Sequence, residues 1–252
     1  MKKTKVEVRQ VATGLASRRS FLKISGLTLA GTGLLLAGCS DDDDNTGTNP
    51  DPNMLPGIVN GTFDLGGGDA GILTYAYALE QLEADFYTRV VNSNTFGSTF
   101  NAEEQSVLTD LYRHEVIHRE FFKAALTGAL ANTEGVVLPN LEFSYDSVNF
   151  SNRLSVLNTA KALEDTGVSA YNGAGRYITT PEYLLIAGKI VSVEARHASA
   201  IRDLINPGSV DFAGNDVVDA NGLDKAQKPS QIIPIVSSLD FIQTAFTAMY
   251  LP

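Results

Sequence analysis

Hydrophobic side chains recur at steps of three and four in four long segments of the chain, which is the period of one face of an α-helix. The segments cover residues 69–91, 102–130, 151–174 and 181–205. Each is long enough for about six or more helical turns. The pattern therefore predicts an all-α protein built on four long helices.

Residues at the segment boundaries have the types that begin helices. Asp69 is a candidate N-cap of the first helix. Asn101 and Glu104 stand in the spacing of a capping box at the start of the second helix. In the fourth helix Thr180 is the predicted cap, and Pro181 occupies the first helical position, where proline is favoured. The sequence thus predicts where three of the four helices begin.

The lengths of the connections predict how the helices are arranged. Residues 92–101 join the first two helices and residues 175–180 join the last two, and short connections make antiparallel neighbours. The stretch between the second and third helices, residues 131–150, can reach roughly 60 Å when extended, which exceeds the length of such a bundle. This order predicts a four-helix bundle over residues 56–206, with one long crossover between helices 2 and 3.

The C-terminal residues 207–252 lie beyond the four helices. Within them, residues 232–249 are apolar and mostly helical in pattern. We expect a short C-terminal helix here, and we expect the whole extension to pack on the bundle.

The first and third helices carry the same motif. The triplet Ala-Leu-Glu ends at Glu80 in the first helix and at Glu164 in the third. A tyrosine follows seven residues later in both helices, Tyr87 in the first and Tyr171 in the third. A repeated pair of helices is more specific than either motif alone.

The second and fourth helices repeat a Glu-x-x-His motif, formed by Glu115 and His118 in one and by Glu194 and His197 in the other. The spacing of three residues puts a carboxylate and an imidazole on one face of a helix, and that face is the apolar one. In each antiparallel pair of helices the two glutamates lie at similar distances from the connecting loop. All four glutamates are therefore expected at one level in the middle of the bundle.

Six ionisable side chains are thus expected to point into one core. Burying several carboxylates together without countercharge costs many kcal/mol. Two divalent cations would balance four carboxylates, and bundles with this ligand pattern bind pairs of iron or manganese ions. Mixed carboxylate and imidazole ligands suit both metals. The predicted ligands are Glu80, Glu115, His118, Glu164, Glu194 and His197.

Four more side chains near the predicted site have several interpretations. Glu83 lies one turn after Glu80 on the same face. Its open interpretations are a seventh ligand, a proton carrier or the partner of a cation nearer the bundle edge. Tyr87 and Tyr171 either pack in the core, bond to ligands or carry a radical. His114 lies off the ligand face, either at the surface or beside a ligand.

The first 38 residues resemble an export signal. Arg18 and Arg19 belong to SRRSFLK, which resembles the twin-arginine motif and precedes an apolar run. The sequence LAGC, which ends at Cys39, resembles the lipobox of bacterial lipoproteins, in which the cysteine is lipidated. The resemblance implies a lipoprotein anchored to a membrane, in the periplasm or at the cell surface. The alternatives are an ordinary secretory signal and a free thiol.

Composition limits the partners of the exported chain. Residues 39–55 are predicted to be a disordered acidic tether, because residues 40–53 hold four consecutive aspartates and no aliphatic or aromatic side chain. Of the chain's 19 Lys and Arg and 29 Asp and Glu, the first 38 residues hold seven and one, so 12 and 28 remain, a net charge of −16. Nucleic acid is a poor partner for such a body, and metal cations are suitable ones.

The helix pattern and the paired motifs resemble the ferritin-like superfamily. More specifically, the chain is similar to bacterial ferritin-like proteins related to plant desiccation-related proteins, in the stretches ALEQLEADFY, RHEVIHREFFKAAL, ALEDTGVSAYNGA and VSVEARHASAI. This likeness covers about residues 71–205. It implies a di-metal centre at the six predicted ligands, with two iron ions favoured over two manganese ions.

Two functions of different class are compatible with these features. The first is an exported, lipid-anchored protein whose di-iron or di-manganese centre oxidises Fe(II) or consumes peroxide or O₂. The second is a non-catalytic stress or desiccation-related envelope protein with a structural or vestigial metal site. Whether the chain is an enzyme, and whether it forms a homo-oligomer, stays open from the sequence.

Overall fold

A computed structural model describes residues 51, 53–130 and 135–252 of the chain. The predicted export signal with Arg18 and Arg19, and the predicted lipidation site Cys39, lie outside these residues. The helices are α1 (Gly68–Val91), α2 (Phe96–Thr99), α3 (Ala102–Ala129), α4 (Arg153–Gly175), α5 (Pro181–Ile205) and α6 (Pro229–Ser238). Helices α1, α3, α4 and α5 are the four long helices of the sequence analysis, and each begins and ends within two residues of its predicted limits.

The long helices pack as two pairs. Helix α1 lies against α3 and α4 against α5, and the pairs meet through contacts of α1 with α4 and of α3 with α5. The predicted fold class, an all-α four-helix bundle with one long crossover, is confirmed. The single turn α2, within the first connection, was not predicted. Within the described ranges, no helix is both long and apolar enough to cross a bilayer.

The first turns of the helices show which capping predictions hold. The capping box of α3 is present, with the backbone N of Glu104 3.0 Å from Asn101 Oδ1 and the backbone N of Asn101 2.9 Å from Glu104 Oε2. The predicted cap Asp69 is wrong, because α1 begins one residue earlier, after Gly67. The carboxylate of Asp69 instead accepts hydrogen bonds from the backbone N of Thr179 and Thr180, at 2.7 and 2.8 Å. It ties the start of α1 to the α4–α5 loop.

The crossover is held against α1 by hydrogen bonds and apolar contacts. The backbone N of Leu141 donates to Gln81 Oε1 at 2.8 Å, and Tyr145 Oη donates to the carbonyl of Leu82 at 3.1 Å. Leu138, Leu141 and Tyr145 are buried in the core. Helix α1 is therefore covered on nearly every side.

A small three-stranded sheet, which the sequence analysis did not predict, joins the two ends of the described chain. Its strands are β1 (Gly57–Val59), β2 (Thr62–Asp64) and β3 (Phe246–Thr247). Strand β2 pairs antiparallel with β1 and parallel with β3. The short C-terminal helix is confirmed as α6, but it ends well before residue 249. The backbone of Asp240 has a φ of 56°, outside the helical region, and the remaining tail runs to β3.

Candidate metal centre

Each long helix turns at least one acidic side chain into the middle of the bundle. Glu80 comes from α1 and Glu164 from α4, and each is completely buried. Helices α3 and α5 each contribute a carboxylate and an imidazole from one Glu-x-x-His motif. The surrounding helix faces are apolar, so these groups are withdrawn from water, as the sequence analysis expected. The six buried side chains are Glu80, Glu115, His118, Glu164, Glu194 and His197.

The first group of donors surrounds His118. Its Nδ1 lies 2.8 Å from Glu194 Oε1, 3.4 Å from Glu80 Oε2 and 3.7 Å from Glu115 Oε2. One potential ligand atom from each of these four residues lies within 4.8 Å of all the others. The four atoms therefore enclose one position that suits a metal ion.

The second group surrounds His197 in the same way. Its Nδ1 lies 2.7 Å from Glu115 Oε1, 3.2 Å from Glu194 Oε2 and 3.6 Å from Glu164 Oε2. These four residues also offer ligand atoms within 4.8 Å of one another. Glu115 and Glu194 belong to both groups, and each turns one oxygen to His118 and the other oxygen to His197.

This arrangement coincides with a match to a known family. A family model described as a ferritin-like domain matches residues 68–207, more than half of the 252 residues. The chain belongs to the ferritin-like domain family. The matched part of this ferritin-like chain contains all four long helices and all six clustered side chains. No curated protein matches the chain, and its predicted relationship to desiccation-related proteins stays a prediction.

The donor atoms of the ferritin-like chain are poorly satisfied by one another. Burying an unpaired polar atom costs about 1–3 kcal/mol, and more when the group is charged. His118 Nδ1 and Glu194 Oε1 are only 2.8 Å apart, yet their directions do not make a hydrogen bond. A cation between such atoms would satisfy several at once, so the residues fit a metal ion. Within the six clustered side chains, the buried atoms without a hydrogen-bond partner among the described residues are Glu80 Oε2, Glu115 Oε1 and Oε2, His118 Nδ1, Glu164 Oε2 and Glu194 Oε1.

The electrostatics show what holds the cluster together without metal. Burial raises the pKa of Glu80 well above its usual value and that of Glu164 to about 7, although the nearby imidazoles oppose this effect. Burial also acts to raise the pKa of Glu115, but His118 and His197 outweigh it and lower this pKa to about 2. The pKa of each imidazole is raised, because the carboxylates outweigh burial. Protons on the imidazoles thus take the place of cations, and metal binding must release them.

Two tyrosines orient the carboxylates that belong to one donor group each. Tyr87 Oη donates to Glu164 Oε1 at 2.6 Å, and Tyr171 Oη donates to Glu80 Oε1. Each bond runs between α1 and α4, so each half of the repeat orients the glutamate of the other half. The Oε2 atoms of Glu80 and Glu164 remain free to face the imidazoles. Of the interpretations left open for the tyrosines, hydrogen bonding to predicted ligands is the one that these contacts support.

The other two uncertain side chains also lie close to the cluster. His114 is exposed, yet its Nδ1 lies 2.9 Å from His197 Nε2 and the two rings stack at an interplanar angle of 8°. Glu83 is buried but supplies no atom to either donor group. Its neighbour across the α1–α4 contact is Gly167, which the sequence analysis did not single out. The repeat contained the signal, since Gly167 follows Glu164 by three residues as Glu83 follows Glu80.

A small apolar cavity lies beside one of the two tyrosines. Its volume is about 20 Å³, and its lining runs from Tyr171, which contacts Glu80, past Ala174 to Ile178. Ile178 is half-buried in the α4–α5 loop. The cavity is large enough for one small molecule and has almost no polar lining.

Proposed function

We propose that the chain is an exported, lipid-anchored ferritin-like protein that holds two iron ions, or two manganese ions, between its long helices and reacts with O₂ or peroxide. One observation carries the metal pair: Glu115 and Glu194 each offer one oxygen to the His118 group and the other to the His197 group. Two donor groups that share two carboxylates suit two adjacent cations, whose four positive charges balance four carboxylates.

The donor set supports iron or manganese over softer metals, because it consists of carboxylate oxygens and imidazole nitrogens without sulfur. Each donor group draws on four residues, and because iron and manganese commonly take about six ligands, an ion held there would have room for a small oxidant. When bound, such a redox-active pair supplies electrons to O₂ or peroxide. We favour iron.

The residues of the chain would prepare the site for this chemistry in three ways. Glu115 and Glu194 hold the two positions at a fixed separation. Tyr87 and Tyr171 fix the outer carboxylates through their hydrogen bonds and keep their own protons, because burial raises the pKa of both hydroxyls. Burial of the whole cluster excludes bulk water, which limits side reactions. The apolar cavity beside Tyr171 offers a route for a molecule as small as O₂.

Export and anchoring rest on the N-terminal motifs. The twin-arginine route, which SRRSFLK resembles, carries folded proteins, and a centre buried this deeply would be filled before export. Replacing both Arg18 and Arg19 by Lys should leave unprocessed precursor in the cytoplasm. Cys39→Ser should move the protein from the membrane fraction to the soluble fraction. Unchanged fractionation of both variants would contradict this part of the proposal.

A non-catalytic envelope protein is the second candidate, and one observation favours it. Imidazole nitrogens lie 2.8 Å from Glu194 Oε1 and 2.7 Å from Glu115 Oε1, and the raised pKa values of His118 and His197 show that both rings hold protons readily without metal. The cluster can therefore hold together as a set of ion pairs, in which the metal site is vestigial.

Metal analysis and turnover separate the two candidates. The chain purified from its own host should contain two iron or manganese ions, and it should oxidise Fe(II) or consume peroxide. Glu115→Gln and Glu194→Gln should lower both the bound metal and the turnover while circular dichroism shows an intact bundle. A chain that is purified without metal, takes up none on reconstitution and melts unchanged in both variants would reject the di-metal proposal in favour of the second candidate.

A further inference from the structure

Glu83 departs from the repeat that relates the two halves of the bundle. Glu80 corresponds to Glu164 and Tyr87 to Tyr171, each pair separated by the same number of residues. The same offset makes Gly167 the counterpart of Glu83. One half therefore carries a carboxylate where the other half carries no side chain.

The cross-contacts of the tyrosines locate this departure in the bundle. Tyr87 on α1 contacts Glu164 on α4, and Tyr171 on α4 contacts Glu80 on α1. The midpoint of the crossing therefore falls near residue 83 in α1 and near residue 167 in α4. Glu83 thus lies close to the pseudo-two-fold axis, between the two donor groups rather than beside one of them.

Gly167 provides the space that Glu83 occupies. A Cβ atom at Gly167 would lie 2.8 Å from Glu83 Oε1, closer than carbon and oxygen atoms pack. A side chain at Gly167 would occupy the space that the Glu83 carboxylate fills. The glycine on α4 therefore allows the carboxylate on α1 to be buried there.

The surroundings of Glu83 do not explain why a carboxylate is buried there. Glu83 is only 3 % exposed, and its Oε2 has no hydrogen-bond partner among the described residues. Burial raises its pKa well above the usual value, and the charges of all four clustered glutamates raise it further. An apolar residue would avoid the cost of an unpaired buried carboxyl group.

We propose that Glu83 is a seventh metal-binding residue, which joins the centre from the α1–α4 side while Glu115 and Glu194 join it from α3 and α5. This inference rests on the proposed metal pair. The oxygens of Glu83 lie outside both donor groups, so Glu83 binds by turning its carboxylate towards them. A fifth carboxylate brings the negative charge to −5, which exceeds the charge of two divalent ions and suits a pair with one trivalent member.

Binding of Co²⁺ to the full chain tests this role without any turnover. Glu83→Gln keeps the size of the side chain but removes its charge and one ligand oxygen. We expect Glu83→Gln to weaken Co²⁺ binding at least about tenfold, since even residues that only support a ligand contribute 10–100-fold, and to change the visible spectrum of the bound ion. Gly167→Ala should act in the same direction, because it fills the space that Glu83 uses.

Two control variants separate ligation from general damage. Gly175→Ala adds a methyl group to the same helix, where the nearest atom is a flexible carbon of Leu184 at 3.8 Å. Glu104→Gln changes a carboxylate that is also buried but pairs with Arg153. Neither control should alter Co²⁺ affinity or spectrum.

The outcomes separate this inference from the proposed function. Wild-type binding of two Co²⁺ ions together with unchanged affinity and spectrum in Glu83→Gln would overturn the role of Glu83 alone. Failure of the folded wild-type chain to bind Co²⁺, Mn²⁺ or Fe²⁺ would overturn both proposals. Weakened binding in Glu83→Gln and Gly167→Ala, with both controls normal, supports the seventh ligand.

Discussion

Removing a shared carboxylate should damage the centre differently from removing an unshared one. The two oxygens of Glu115 lie 2.7 Å from the Nδ1 atom of His197 and 3.7 Å from that of His118. Of these two imidazoles, the one close to Glu80 is His118, at 3.4 Å. Glu115→Gln should therefore weaken both metal positions, whereas Glu80→Gln should leave one of them nearly intact.

The stabilisation by bound metal gives the size of the effect. A ligand at 100 times its Kd stabilises the folded state by about 2.7 kcal/mol, so two independent ions contribute about 5 kcal/mol. For a domain of about 150–250 residues, 1 kcal/mol shifts Tm by about 2–4 °C. Metal should therefore raise the Tm of the wild-type chain by about 10–20 °C and that of Glu80→Gln by about half as much. Glu115→Gln should gain only a few degrees, because both positions lose a ligand.

Calorimetry with and without Mn²⁺ measures the shift in Tm, and metal analysis of the dialysed protein measures how many ions each variant retains. Glu120→Gln serves as control, since Glu120 is exposed on the same helix as Glu115 and pairs with its neighbour Arg119. This variant should behave as wild type. Equal loss of metal and of Tm shift in Glu80→Gln and Glu115→Gln would refute the assignment of Glu115 as a shared ligand.

Three further outcomes follow from the geometry. Tyr171→Phe leaves Glu80 Oε1 without its donor, so competition with a chelator should show metal affinity lowered about 10–100-fold; equal affinity would argue for simple core packing. In urea titrations with chelator, the metal-free chain should lose stability as pH rises from about 5 to 8. Burial raises the pKa of Glu80, and the surrounding carboxylates raise the pKa of His118. Because both values exceed those of the unfolded chain, the folded state holds more protons than the unfolded state. A free energy of unfolding that rises with pH would contradict this. Ala174→Leu should fill the apolar cavity and slow oxidation by O₂ at unchanged metal content, as stopped-flow absorbance would show; an unchanged rate would exclude this route.

The sequence predicted the convergence of the six side chains because helix geometry alone decides it. A spacing of three residues puts Glu115 and His118 on one face, and equal distances from a short loop put Glu80 and Glu115 at one level. Neither step requires knowledge of packing. Whether these side chains bind metal is a different matter, because ligation depends on an ion that no residue pattern contains.

Contacts between distant segments were beyond the same reasoning. The local pattern around Asp69 is that of a helix cap, and only the folded chain brings it to Thr179 and Thr180. The hydrogen bond from Tyr87 to Glu164 depends on α1 facing α4. From the sequence, the role of Tyr87 was therefore left open among core packing, bonding to a ligand and carrying a radical. The pairing of β2 with β3 joins segments more than 180 residues apart, and neither segment has a strand-like pattern long enough to be recognised.

Residues that follow the two-fold repeat and residues that break it affect the two donor groups differently. A strict two-fold repeat would surround both ions identically, so neither would be favoured in binding or in oxidation. His114 precedes Glu115 in α3, but Val193 occupies the equivalent position in α5, so only His197 has an exposed imidazole against its ring. If Nδ1 of His197 binds a cation, its Nε2 carries the proton and donates to His114, which orients the ring and connects that position to solvent. This contact makes the two donor groups unequal, so the repeated residues build both groups and the unrepeated His114 distinguishes them.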